Sequence, residues 1–319
     1  MFARKAEKIL IIKTGGLAGF VAAEPAFDVI RRENPKAEIS LLTSEKLQRL
    51  ARASAYFDQV AALPPAAESE MRKGFIKQLK TAKFARVYDL SADEDARKVY
   101  AGLGPFRPKW RSVPAPRRKR DAVSAAPVSE KFFDAAGIDM PDRKPDFSWA
   151  AAARKDSANM RPSWFGISGA FGLLLPSLDP AFRWPAENYA DFARMMARNG
   201  IMPVLVGGKA LHNFGDEVAD RAPEIVDLTG KADHLQLAAL SREAHFFVSD
   251  EAEEVHLAVG AGCAGVLIKK VGREELAPEG RHVVTLTVTD ALGDASSDFV
   301  WRTLANMQLL PDGQHAMRR

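Results

Sequence analysis

Lys8-Ile9-Leu10-Ile11-Ile12-Lys13-Thr14-Gly15-Gly16-Leu17-Ala18-Gly19 is the stretch whose reading decides the fold. Lys8 to Lys13, with the unbroken aliphatic run Ile9 to Ile12, has the pattern of a strand buried on both faces in a parallel sheet. Thr14 to Gly19 is a glycine-rich turn, and Pro25-Ala26-Phe27-Asp28-Val29-Ile30-Arg31-Arg32 reads as a helix stopped by Asn34-Pro35. Ala37-Glu38-Ile39-Ser40-Leu41-Leu42 is the next strand. Strand, turn, helix and strand at this spacing make a βαβ unit.

The alternation continues outward. Leu47 to Ala53 reads as a helix, Gln59-Val60-Ala61 as a short strand, Lys73 to Lys83 as a helix and Ala85 to Leu90 as a strand. Between Gly102 and Pro162 prolines interrupt the pattern; one helix, Ser129 to Ala136, a basic run, Arg117-Arg118-Lys119-Arg120, and a linker near residues 150–165 are read there. The alternation then restarts. Strands are read at Phe171–Pro176, Met202–Gly208 (entering a turn at Gly207-Gly208), Val226–Leu228, Phe246–Ser249 and Gly265–Ile268, and helices at Pro185–Arg198, Phe214–Arg221, Leu235–Glu243, His256–Ala261 and Ser297–Met307. Two similar α/β halves predict two Rossmann-like domains facing a cleft, divided as residues 1–155 and 156–300, with a C-terminal helix and tail over 301–319.

The bulk numbers narrow the function classes. The chain has 319 residues, 47% hydrophobic and 27% charged, ordinary for a globular protein with two cores. A net charge of +4 fits either a solvated surface or a preference for anionic partners. The single cysteine, Cys263, excludes an internal disulfide and a cysteine metal cluster, and its apolar setting reads as core. No run reaches the length of a membrane span, and Met1-Phe2-Ala3-Arg4-Lys5 leads directly into a strand rather than a signal sequence, so a cytoplasmic location is expected. The basic run, with Arg107, Lys109 and Arg111, reads either as a solvated loop or as a contact for anionic lipid headgroups or a phosphorylated saccharide. No nucleic-acid-binding module is recognisable.

The loop Ser249-Asp250-Glu251-Ala252-Glu253-Glu254-Val255-His256 follows a buried strand and opens a helix, the position at which backbone N–H groups commonly receive a phosphate. Here Glu251, Glu253 and Glu254 occupy that position, and carboxylates facing phosphates repel.

Four segments in order resemble glycosyltransferase family 9, the ADP-heptose:lipopolysaccharide heptosyltransferases. They are Ile9–Thr14 with Pro25-Ala26-Phe27; Arg183-Trp184-Pro185-Ala186-Glu187-Asn188-Tyr189; Asp227-Leu228-Thr229-Gly230-Lys231 with Leu235 and Ala238-Ala239-Leu240; and Glu251 to Ala258 followed by Gly262-Cys263. The resemblance implies the GT-B fold, α/β with two Rossmann-like domains facing a cleft, the acceptor on the N-terminal side and a nucleotide sugar of the ADP-heptose kind on the C-terminal side. It also implies catalysis without a metal, no further cofactor, and work at the inner face of the cytoplasmic membrane.

Set against the family pattern, three positions depart. The family's proposed base, an Asp in the first loop, falls on Gly19; the nearest acids are Glu24, which reads otherwise as a helix surface charge, and Asp28. The family's Lys two residues before the Trp falls on Phe182, and Arg183 would point about 100° away in a helix. The Asp-Thr-Gly of the phosphate loop falls on Glu251-Ala252-Glu253. What the resemblance leaves as a nucleotide-sugar set is Ser177, Arg183, Gly207, Gly208, Lys209, Asp227, Glu251 and His256. Ser177 lies in a loop poorer in glycine than the family's; Lys209 and Asp227 read equally as solvated, and His256 as a packing residue. Departure at base, cation and phosphate loop together favours a pseudo-glycosyltransferase with a binding or scaffold role; the alternative is an active inverting transferase with a remodelled site.

Overall fold

The computed structural model describes residues 6–65, 67–91, 93–105, 107–112, 128–137, 143–150, 158–271, 278 and 282–311. The chain divides into two compact units, Met1–Pro145 and Asp146–Arg319.

Unit 1 runs β1 (Lys8–Lys13), α1 (Leu17–Ala22), α2 (Glu24–Glu33), β2 (Glu38–Thr43), α3 (Gln48–Arg52), β3 (Gln59–Ala62), α4 (Ser69–Thr81), β4 (Arg86–Asp89), α5 (Glu94–Gly102), β5 (Lys109–Ser112) and α6 (Val128–Ala136). Its sheet has the order β3-β2-β1-β4-β5, and every pair is parallel. Ile11 is paired with Leu41 on one side and Tyr88 on the other, so β1 is central. Leu10 and Ile12 pack with Leu42, Val87, Leu79, Ala96 and Val99, and the two-residue period turns Ile9 and Ile11 to the opposite face. All four are 1% exposed or less, which is what an unbroken aliphatic strand needs.

The Pro-rich stretch was expected to hold one helix and otherwise loop. It also holds β5, an edge strand paired only with β4. Trp110 is its single large apolar residue, too little for a sequence pattern. Helix α5 buries only Ala96 and Val99, and its start is set by Asp93, whose carboxylate accepts the Ala96 N–H at 2.7 Å. The basic run Arg117 to Arg120 and most of the linker near 150–165 lie outside the described residues.

Unit 2 runs β6 (Phe171–Leu175), α7 (Ala186–Arg198), β7 (Met202–Leu205), α8 (His212–Arg221), β8 (Val226–Asp227), α9 (His234–Glu243), β9 (Phe246–Ser249), α10 (Glu254–Gly260), β10 (Gly265–Lys270), β11 (Val283–Val288) and α11 (Ser297–Asn306). The sheet order is β11-β10-β9-β6-β7-β8, again parallel throughout. Its core centres on Trp184, Tyr189, Phe192 and Phe246, with Trp184 and Tyr189 edge to face at 5.1 Å.

In each unit the chain builds outward from its first strand and then crosses to that strand's other side. The order reverses between β1 and β4 and between β6 and β9. Ligands of such sheets settle outside the carboxyl ends of the strands at these points. No helix among the described residues is long and apolar enough to cross a membrane.

Candidate functional site

In unit 2 the reversal point is occupied by a residue the sequence pattern did not single out. Asp250 follows β9, is fully buried, and accepts three donors: the N–H of Ser177 in the loop after β6, the N–H of Trp184 at 2.7 Å and the O–H of Tyr189 at 2.9 Å. Burial pushes its carboxyl up to about 7, although the donors and Arg183 work in the other direction. Beside it, Ser249 donates its hydroxyl to the Leu175 carbonyl at 2.9 Å. The loops after β6 and β9 are thus laced across the reversal point.

Ser177 is buried, its N–H given to Asp250 and its Oγ accepting the Asp179 N–H at 3.3 Å. Pro180–Phe182 is a short 3-10 turn, and Arg183 after it is extended, so the helical 100° offset from Phe182 does not arise. The Arg183 guanidinium lies over the Phe214 ring at 4.3 Å and reaches the Ser177 carbonyl at 3.4 Å. It is a half-buried cation at the edge of the reversal point rather than an exposed charge.

The other donor-side residues gather at the ends of β7 and β8. Gly207 accepts the Gly230 N–H at 2.8 Å, and a Cβ on it would meet the Leu211 side chain at 2.6 Å. Gly208 and Lys209 are exposed. The Asp227 carboxylate accepts the Thr229 N–H at 2.9 Å and hydroxyl at 2.7 Å and pairs with Lys231 at 3.2 Å, so it closes its own turn. Ligand atoms of His212, Asp216 and Asp227 lie within 4.8 Å of one another, a surface grouping in which Asp227 is already engaged.

Helix α10 begins at Glu254, two residues before the start read from sequence, with Glu253 at its cap and no side-chain cap bond. Glu251 turns one carboxylate oxygen to the Lys270 N–H of β10 at 3.4 Å, while Glu253 is exposed. His256 is half-buried; burial lowers it to about 4, so at neutral pH it carries no charge to offer a phosphate.

In unit 1, Gly19 lies in α1, and a Cβ built on it would lie 3.0 Å from the Lys13 ammonium. Glu24 is not a surface charge: it is 1% exposed, accepts the Tyr56 O–H and pairs with Arg143 at 2.9 Å. Asp28 is paired with Arg143 and, at 2.8 Å, with Arg32. Neither acid stands open beside Gly19. Arg143 lies more than a hundred residues along the chain from both, and nothing in its local sequence marks it as their partner.

Residues 112–262 match the model of glycosyltransferase family 9 (heptosyltransferase). Every donor-side residue named above lies inside that segment, and Gly19, Glu24 and Asp28 lie outside it. Among solved structures, the chain is similar to E. coli ADP-heptose lps heptosyltransferase II, at 16% identity and TM-score 0.75, covering 95% of this chain and 98% of that one. It is similar to the glycosyl transferase family 9 from Veillonella parvula, at 16% identity and TM-score 0.76 over 97% and 99% of the two chains. It is similar to E. coli heptosyltransferase WaaC with ADP, at 15% identity and TM-score 0.70 over 94% and 99%. No curated protein sequence matches. These likenesses show the fold, two parallel α/β sheets as in GT-B heptosyltransferases. Over residues 112–262, from the end of β5 to the turn after α10, the chain is similar in sequence to glycosyltransferase family 9, the heptosyltransferases.

Proposed function

We propose that this heptosyltransferase-like protein lacks the family's standard transfer reaction and keeps its scaffold for a binding or assembly role in lipopolysaccharide or surface-glycan synthesis. The observation that carries the reading is at residue 19. Where the resemblance asks for a carboxylate base, the chain has glycine, and the nearest side-chain atom to its missing Cβ is an ammonium. Glu24 and Asp28 are held by Arg143, and a carboxylate bound to a guanidinium is a poor proton acceptor for a sugar hydroxyl. On the donor side, Phe182 replaces the lysine, Arg183 is stacked on Phe214, His256 is neutral, and Glu251 and Glu253 add negative charge. Positioned positive charge on a leaving diphosphate is a large part of such catalysis, and little is left here.

A nucleotide sugar, without a metal, is the ligand class of unit 2 on the alternative reading of an active transferase, and a lipid-linked or phosphorylated saccharide is the class proposed for unit 1. The basic run supports peripheral contact with the anionic inner face of the cytoplasmic membrane. Calorimetry with ADP, UDP, GDP and their sugars, alongside a transfer assay with ADP-heptose, tests the reading. The expected result is no turnover and no micromolar ADP binding. Micromolar ADP binding with turnover would replace it by the active transferase with a remodelled site.

A further inference from the structure

Among the described residues, one group of histidine and aspartate side chains brings its ligand atoms together: those of His212, Asp216 and Asp227 all lie within 4.8 Å of one another. His212 opens α8 and Asp216 lies one turn on, so the two share a face, with His212 Nε2 3.8 Å from Asp216 Oδ2. Asp227 ends β8 and reaches that face from a different element. The helix residue it meets is Gly215, where a Cβ would lie 2.8 Å from Asp227 Oδ1, so a bare backbone is what lets the carboxylate settle this close to α8. Asp227 is the fixed member of the group. Its Oδ1 accepts the Thr229 N–H at 2.9 Å and hydroxyl at 2.7 Å, the kind of support that orients a metal-ligating carboxylate. Its Oδ2 already faces a cation, the Lys231 ammonium at 3.2 Å, which also donates to the Asp227 carbonyl at 2.9 Å. The Lys231 side chain is 55% exposed and has room to swing away. His212 and Asp216 are exposed, so both can turn toward Asp227 without disturbing the core.

We propose that His212, Asp216 and Asp227 bind one zinc ion, which displaces the Lys231 ammonium from Asp227 Oδ2 and pins α8 to the turn after β8. The donor set chooses the metal. One imidazole with two carboxylates suits Zn2+, whereas Mg2+ keeps to oxygen ligands and gives up its water reluctantly. Zinc bonds of roughly 2.0–2.2 Å set tetrahedral ligands about 3.4 Å apart, so His212 and Asp216 must close by about 0.4 Å from 3.8 Å, and no pair by more than about 1.4 Å from 4.8 Å. Water completes the fourth position. The ion is structural and takes no part in sugar transfer, so the inference stands on either reading of the function.

The test is calorimetry of the full chain, first freed of metal with EDTA, against zinc chloride and magnesium chloride in separate titrations. One zinc per chain is expected, with no magnesium binding, and zinc should raise the melting temperature of the parent chain. His212→Ala and Asp216→Asn, both on the surface of α8, should each weaken zinc about ten-fold or more, since even loss of a group that merely supports a ligand costs that much. Lys231→Met should tighten zinc, because the ammonium no longer competes for Asp227; a purely structural role for the lysine does not predict a gain. His245→Ala, an exposed histidine before β9 at the other end of the sheet, should leave binding unchanged. The absence of stoichiometric zinc binding overturns the inference. So does a loss in His212→Ala with Asp216→Asn unaffected, the mark of a lone surface histidine, or a Lys231→Met variant that binds zinc no more tightly than the parent.

Discussion

The backbone N–H of Trp184 donates to the carboxylate of Asp250 at 2.7 Å, and this bond ties the start of α7 to the loop after β9. The indole of the same tryptophan donates to the Ala295 carbonyl at 2.9 Å, carrying the connection to the segment before α11. A tryptophan–proline motif that reads as a functional signature therefore also acts as the clamp that holds the reversal point of unit 2.

Asp250→Ala leaves the N–H groups of Ser177 and Trp184 and the hydroxyl of Tyr189 buried without their acceptor. At about 1–3 kcal/mol for each orphaned group, less what relaxation recovers, the loss of stability should reach about 3 kcal/mol or more. Urea unfolding followed by tryptophan fluorescence measures it. A loss under about 1 kcal/mol would remove Asp250 from the centre of the unit.

The same carboxyl gives a signed pH dependence. Its folded value, about 7, lies above the ordinary 3.8, so the folded chain holds this proton more tightly than the unfolded chain. The stability it contributes is complete below 3.8 and is lost as pH rises through about 7. The gap in melting temperature between the parent chain and Asp250→Asn should therefore narrow as pH rises across that window; a widening gap would show that the three donors outweigh burial.

Glu24→Ala removes the buried partner of Arg143 and the acceptor of Tyr56, while Asp28 still holds the guanidinium. The expected cost is about 2–3 kcal/mol, below the full value for a buried pair because Arg143 is partly exposed. Chemical denaturation of this variant beside Asp28→Ala orders the two contributions, with Glu24 the larger.

Gly19→Asp returns a carboxylate to the position the family pattern asks for, but its Cβ would lie beside the Lys13 ammonium. The new acid should pair with the lysine, leave stability within about 1 kcal/mol of the parent, and bring no transfer from ADP-heptose, because Phe182 still stands in place of the lysine. Turnover by this single variant would locate the whole defect at residue 19.

Gly265→Ala and Gly208→Ala test the backbone packing of unit 2 against each other. A Cβ on Gly265 would lie 2.1 Å from the Phe247 carbonyl oxygen on the neighbouring strand, whereas one on Gly208 meets nothing within 4 Å. The first should cost about 3 kcal/mol or abolish folding, and the second should change stability by less than about 0.5 kcal/mol. Thermal melts of the two proteins side by side read the difference.

Elements with dense aliphatic runs were legible in the sequence. Lys8–Lys13 and Phe246–Ser249 were read at their observed bounds, because central parallel strands need apolar side chains on both faces. Edge elements were not. β5 has Trp110 alone to bury, α5 turns only Ala96 and Val99 inward, and β11, at the sheet's other edge, went unread because its exposed and half-buried positions weaken the signal. The site followed the same division. Gly207 and Gly208 sit in a strand-end turn as read, but Glu24 was read as surface and is sealed, and Asp250 was passed over beside the more conspicuous glutamates.

What the sequence determined by itself is the alternation of strand and helix, two parallel-sheet units, and the absence of a carboxylate at residue 19. Each of these is carried by residue identity or by patterns a few residues long. Which charge meets which partner was decided only by the tertiary structure. Asp250 reaches Ser177 across 73 residues and Arg143 reaches Glu24 across 119, separations over which no local periodicity holds information. The physical reason is desolvation: a carboxylate enters a core only where folding delivers its donors from elsewhere in the chain, so its role becomes visible once the chain has closed on itself.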